Sequence, residues 1–215
     1  AIRLKPDHAE AHSCLGIALA ADQRMDEAIA SLHEAVRLRP DNADAHVYLG
    51  AARAAIGQLN EAAASFRETL HLKPQHADAH VYLGNVLVDL GKFDEATEHY
   101  RRALEQRPND SELLNNLGNA LSELGKLDEA IAHYERALEH KPTYVSALHN
   151  LGIAYLNAGK PETAEACCRR ILKLQPDHAQ AMTNLRTALA GQKHTEQAIA
   201  QYQQSLSLKP DYAQA

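Results

Sequence analysis

The chain has 215 residues, and its 22 basic and 28 acidic residues give a formal net charge of -6. It has no marked run of Lys or Arg to neutralise a row of phosphates, and no apolar stretch approaches the roughly 18 residues of a membrane helix, so we expect neither a nucleic-acid nor a membrane partner. Three cysteines without a disulfide framework favour a reducing compartment, and we expect a cytoplasmic location.

Seven of the eight prolines are spaced by 34 residues: Pro6, Pro40, Pro74, Pro108, Pro142, Pro176 and Pro210. A chain that aligns with itself at one fixed offset is a repeat array, and 34 residues accommodate two helices and two turns. The predicted segments are 1–8 (the tail of a preceding repeat), 9–42, 43–76, 77–110, 111–144, 145–178, 179–212 (a degenerate repeat) and 213–215 (the start of another). We therefore expect the chain to be an excerpt from a longer array.

Each unit contains two apolar stripes at helical spacing and predicts an antiparallel helix pair. A glycine in the middle of the first helix, such as Gly84, predicts close contact with an alanine of the second helix that never varies, such as Ala96. A second glycine column, which includes Gly91, lies where the first helix should end with positive φ. In the first unit this place is occupied by Gln23.

One unit carries Leu83-Gly84, Ala96, Tyr100, Ala103 and Pro108, and most of this pattern recurs in each unit. On these residues the chain resembles the tetratricopeptide repeat (TPR) family. The resemblance implies an all-α fold, a right-handed superhelical solenoid of antiparallel helix pairs. It also implies that the first helices line a concave groove for a protein partner or an extended peptide.

The face of each first helix opposite its buried stripe is free to bind a partner. Its amides offer both donors and acceptors, which suit an extended peptide backbone, and they resemble the asparagine ladder in the TPR arm of O-GlcNAc transferases. The alternative is that these amides only cap helices or face solvent. The candidate polar residues are Asn85, Asn115, Asn116, Asn119, His149, Asn150 and Asn184.

Apolar candidates occupy the same face in the second and third units: Val47, Tyr48, Val81 and Tyr82. They are plausible anchors for an apolar side chain of the partner, and the alternative is that they pack on neighbouring first helices. An acidic column also recurs there: Glu10, Asp44, Asp78 and Glu112. These carboxylates either favour basic ligands or simply complement the helix macrodipole.

Thirteen histidines suggest a metal site, but their spacing follows the repeat, and partial packing is the simpler role for His12, His46 and His80. Cys167 and Cys168 have no evident base beside them. We therefore predict a non-catalytic scaffold without metal or cofactor. Two alternatives are a substrate-recruiting arm of a larger enzyme, such as a glycosyltransferase, and self-association through exposed array ends.

Overall fold

The computed structural model describes residues 8–192. The helices are α1 (Ala9–Ala21), α2 (Met25–Leu38), α3 (Ala43–Ala55), α4 (Leu59–Leu72), α5 (Ala77–Asp89), α6 (Phe93–Gln106), α7 (Ser111–Glu123), α8 (Leu127–His140), α9 (Val145–Asn157) and α10 (Pro161–Leu174). Residues 179–192 are also helical. No strand occurs between residues 8 and 192. The predicted segments 1–8 (apart from His8) and 213–215, and the second half of the degenerate repeat, lie outside the described residues.

The helices pack as consecutive pairs within two compact units, one ending at residue 124 and the other beginning at residue 125. In the first unit α1 packs on α2, α3 on α4 and α5 on α6, and each pair also contacts the helix that follows it. In the second unit α9 packs on both α8 and α10. These contacts confirm the predicted all-α class of paired helices.

First helices begin at 34-residue intervals, at Ala9, Ala43, Ala77, Ser111 and Val145. Within the described second helices, α2, α4, α6, α8 and α10, the alanine column is completely buried, as in Ala62 and Ala96. The assignment of each 34-residue segment as one repeat remains an interpretation of the sequence register.

Both the alanine column and larger side chains lie close to the mid-helix glycines. A Cβ added to Gly16 would lie 3.1 Å from the Ala28 carbonyl oxygen, and one added to Gly152 would lie 3.9 Å from that of Ala164. At Gly50 and Gly84, in contrast, the nearest atoms belong to a ring. A Cβ added to Gly84 would lie 2.6 Å from Cε1 of Tyr100, and one added to Gly50 would lie 2.7 Å from Cε1 of Phe66. Each ring belongs to the residue four positions after the buried alanine of the second helix and leaves no space for a side chain at the glycine. Gly152 differs, because its nearest neighbour would be Cys167 Cβ at 3.5 Å.

The turn between paired helices requires positive φ at one residue. Gly57, Gly91, Gly125 and Gly159 have φ values of 79°, 72°, 71° and 68°, and Gln23 adopts φ 61° at the corresponding place. Gln23 therefore has a left-handed backbone conformation that glycine accepts at lower cost.

Candidate functional site

Three of the predicted asparagines meet around one cavity in the first unit, which we call the amide cavity. It has a volume of about 230 Å³ and is lined by Asn85, Val88, Asp89, Tyr100, Asn116 and Asn119. Helical spacing explains the grouping, because residues three and four apart share a helix face. The cavity thus joins one face of α5 to one face of α7, with a side chain of α6 beneath.

A buried hydroxyl fixes the orientation of one of these amides. Tyr100 is 2% exposed, and its hydroxyl donates a hydrogen bond to Oδ1 of Asn85 over 2.7 Å. Burial first, and the Asp89 carboxylate second, raise the pKa of the Tyr100 phenol well above its usual range. The hydroxyl therefore stays protonated at physiological pH and remains a donor.

A second concavity in the first unit, the charged cleft, has a volume of about 500 Å³. Tyr48, Ser13 and Cys14 line it together with two ion pairs, Arg39–Glu10 at 3.0 Å and Lys73–Asp44 at 2.9 Å. The sequence predicted a largely apolar face with an acidic edge here. The structure shows that Arg39 and Lys73 form ion pairs with the carboxylates of this acidic edge.

The same ion pair recurs in the third helix pair, where Arg107 lies 2.6 Å from Asp78. In each case the basic residue ends a second helix and the acid lies in the first turn of the preceding first helix. Such exposed pairs contribute about 0–1 kcal/mol each. Sequence reasoning missed these cations, although a basic residue directly precedes nearly every periodic proline, as in Arg39-Pro40 and Lys73-Pro74.

The predicted apolar anchors are partly exposed. Tyr48 is 44% exposed and Tyr82 is 41% exposed, while Val47 and Val81 are half-buried. The Tyr82 ring packs on Phe66 of α4, with centroids 5.6 Å apart and planes inclined by 33°. One face of Tyr82 is therefore held by the preceding helix pair while the rest of the ring stays accessible.

The remaining predicted residues lie apart from the amide cavity. Asn115 is only 4% exposed, so its side chain is buried beside the neighbouring Asn116. In the second unit His149, Asn150 and Asn184 are half-buried. The His149 ring lies 5.9 Å from that of His178, and burial lowers the pKa of His149.

Histidines of the first helices bind backbone groups. Nε2 of His46 lies 2.9 Å from the Pro40 carbonyl, and Nε2 of His80 lies 3.0 Å from the Pro74 carbonyl. A carbonyl only accepts, so both histidines donate from Nε2 and tie one helix pair to the next. Across residues 8–192, no group of three or more His, Cys, Asp or Glu side chains is arranged to hold a metal ion.

Within the described part of the chain, no helix is both long enough and apolar enough to span a membrane.

Comparison with known families matches the chain in three places. The tetratricopeptide repeat matches residues 75–143 and, separately, residues 121–189, and the TPR repeat matches residues 18–57. Together these matches span more than half of the chain. The chain belongs to the tetratricopeptide repeat family. A comparison of this sequence with curated proteins found no significant match.

Solved structures share this TPR architecture. YrrB, described as a TPR protein with an unusual peptide-binding site, is 27% identical with a TM-score of 0.77, over 85% of this chain and 94% of YrrB. One MamA structure is 23% identical with a TM-score of 0.74, over 80% of this chain and 94% of that one. MamA from Desulfovibrio magneticus RS-1 is 20% identical with a TM-score of 0.76, over 80% and 97% of the two chains. The likeness to MamA concerns the fold alone.

Proposed function

We propose that this protein is a non-catalytic scaffold that binds an extended peptide or protein segment on the free face of its first helices. The observation that carries the proposal is the convergence of Asn85, Asn116 and Asn119 on one cavity. These residues come from two successive first helices, so an extended segment lying across both helices would meet amides from each.

Carboxamides suit this role because each presents a donor and an acceptor to the N–H and C=O groups of a backbone. Contacts of this kind hold a segment without demanding one sequence. The peptide-binding site described for YrrB, a protein 27% identical over 94% of its own chain, supports peptide binding as the shared activity.

Tyr48 and Tyr82 would supply the apolar part of the binding energy. Both rings are more than two-fifths exposed, and contact with Phe66 already restricts Tyr82. A restricted aromatic side chain loses little entropy when a partner packs against it, which favours its use as an anchor.

The cysteines support a role without catalysis. Cys167 and Cys168 are buried, and desolvation raises the pKa of the Cys167 thiol to about 11. A thiol in this state is a poor nucleophile at neutral pH.

The proposal is tested by selecting peptides from a displayed random dodecapeptide library on the full chain. The Kd of a selected synthetic peptide is then measured by fluorescence anisotropy. Replacing Asn116 and Asn119 together by Ala should weaken binding roughly tenfold or more, since each lost hydrogen bond contributes about 1 kcal/mol.

The matched control is Asn60→Ala, which removes an exposed asparagine from α4 that does not line the cavity. It should leave the Kd unchanged. Circular dichroism should show that both proteins are folded. If the double variant then binds the peptide with the same Kd as wild type, the amide cavity is not the binding site.

The finer features of the proposal remain predictions: an asparagine ladder like that of O-GlcNAc transferases, continued through Asn150 and Asn184, and peptide binding by Asn115. The recruiting arm of a larger enzyme, self-association and a cytoplasmic location also remain predictions.

A further inference from the structure

We propose that the amide cavity selects peptides carrying a basic residue: Asn85 donates to a peptide carbonyl, and the Asp89 carboxylate pairs with a Lys or Arg side chain. This inference rests on the proposed function and specifies its ligand.

The first step is the orientation of Asn85. Its Oδ1 accepts the Tyr100 hydroxyl at 2.7 Å, so its Nδ2 group points away from Tyr100. Asn85 is exposed and lines the cavity, whereas Tyr100 is buried beneath it. The hydroxyl thus directs the Nδ2 donor of Asn85 toward the ligand, and Tyr100 acts as a positioning residue. A group that only donates binds a carbonyl oxygen.

The array itself couples these two residue types. In the register of the 34-residue period, asparagine occupies the place of Asn85 only where tyrosine occupies the place of Tyr100. The first-helix and second-helix residues at these places are Ile17 with Leu32, Ala51 with Phe66, Asn85 with Tyr100, Asn119 with Tyr134, Ile153 with Cys168, and Thr187 with Tyr202. The sixth pair has the tyrosine without an amide, so the coupling runs in one direction only. Where the second helix offers no hydroxyl, the first helix offers no amide. This pattern is expected if the hydroxyl serves to orient the amide.

The second step is the charge of Asp89. It is the only charged residue lining the cavity, and no ion pair to it occurs among the described residues. The acids of the charged cleft differ, because Arg39 and Lys73 already pair with Glu10 and Asp44. A cationic side chain entering the amide cavity would therefore find its counter-ion at Asp89.

The third step is the shape of the wall beside this carboxylate. Val88 lines the cavity next to Asp89 and is half-buried, so it offers apolar surface. Lys and Arg bury their aliphatic stems along such surface while the charged head stays at a polar group. An anionic side chain would instead meet uncompensated repulsion from Asp89.

The test selects a displayed random dodecapeptide library in parallel on wild-type full-length chain and on Asp89→Asn, then sequences the bound pools. Wild type should enrich Lys or Arg at one position by about fivefold over the input library, and Asp89→Asn should lose this enrichment. The control Asp26→Asn changes net charge equally at an exposed residue of α2 and should retain it.

One selected basic peptide then serves as the probe for Kd measurements. Asp89→Asn should weaken its binding roughly tenfold and flatten the salt dependence. Tyr100→Phe should weaken binding in wild type but not in an Asn85→Ala background, because the hydroxyl acts through that amide. A purely structural effect of Tyr100 would appear in both backgrounds.

The outcomes separate the two proposals. If wild type binds peptides with no preference for Lys or Arg, the basic-peptide inference is overturned while the scaffold function stands. Retention of the preference by Asp89→Asn overturns the role of that carboxylate. If no peptide is enriched on folded wild-type chain, both proposals are overturned.

Discussion

The Nδ1 atoms of His80 and His99 lie 2.9 Å apart, so one imidazole must donate to the other. Because Nε2 of His80 donates to the Pro74 carbonyl, Nδ1 of neutral His80 is the acceptor and His99 is the donor. Burial lowers the pKa of both histidines, so both rings are neutral at physiological pH. Two cationic rings would place two N–H groups against each other in a largely buried position.

Stability should therefore fall in mild acid. Burial, followed by the influence of His80, lowers the pKa of His99 to about 4, whereas an unfolded histidine titrates near 6.5. The stabilisation is fully present above pH ~6.5 and is lost as pH falls toward 4, on the order of 2 kcal/mol in free energy of unfolding. The other titratable or charged groups acting on the pair are Arg67, His76, Glu95, Glu98, Arg102 and Glu105.

Urea unfolding at several pH values measures this effect. His99→Ser, the residue found at this place in the first two units as Ser31 and Ser65, should reduce the pH dependence between 6.5 and 4. His71→Ser is the control, because the His71 side chain is 81% exposed. Identical acid dependence in both variants would contradict the assignment.

Alanine should have opposite effects at two glycines of the same column. Gly84→Ala would drive a Cβ to 2.6 Å from the Tyr100 ring and should lower the free energy of unfolding by about 2 kcal/mol. Gly152→Ala has ordinary contact distances and should raise it by up to about 1 kcal/mol through helix propensity. Thermal and urea unfolding check both, and a stabilised Gly84→Ala would refute the packing explanation.

Gln23→Gly should stabilise the chain by about 1 kcal/mol, because Gln23 has φ 61° where the other described turns use glycine. The reverse change, Gly57→Gln, should cost a similar amount, since a Cβ at Gly57 meets open space and only the backbone conformation is disfavoured. Urea unfolding of the two variants measures both signs. If neither variant changes the free energy of unfolding, the backbone of this turn adjusts to the new residue and the explanation by positive φ is wrong.

The three cysteines should react with a thiol reagent at different rates, one quickly and two slowly. Cys14 is exposed, whereas Cys167 and Cys168 are buried and burial raises the pKa of both. At pH 8 a thiol with a pKa of about 11 is ionised in roughly one molecule per thousand. A chromogenic disulfide reagent should release one equivalent quickly and two more on unfolding, and Cys14→Ser should abolish the fast phase.

Much of the fold follows from the sequence because proline and glycine act locally. The 34-residue spacing predicted where first helices begin, and the glycine column predicted positive φ at Gly91. The ring beside Gly84 was not predicted, because a helical wheel gives the direction of a side chain and not its reach. The Tyr100 ring extends to the glycine from four positions beyond the alanine that was expected there.

The site was predictable in composition and less so in detail. The wheel placed Asn85 and Tyr82 on one face of α5, and the structure places Asn85 at the amide cavity. The hydroxyl bond from Tyr100 was not predictable, because it depends on how closely α5 and α6 approach. The ion pairs were missed because their partners are separated by 29 residues, as in Glu10 and Arg39.

The ion pairs formed by Arg39, Lys73 and Arg107 each close within a single 34-residue segment, and the bonds from His46 and His80 to proline carbonyls join only adjacent segments. Deleting or duplicating one whole internal segment would leave every such bond with an equivalent partner. Gene rearrangement can therefore change the number of segments in whole steps while these bonds are kept. The amide cavity, however, takes Asn85 from one segment and Asn116 from the next, so the place of a rearrangement decides whether that site survives.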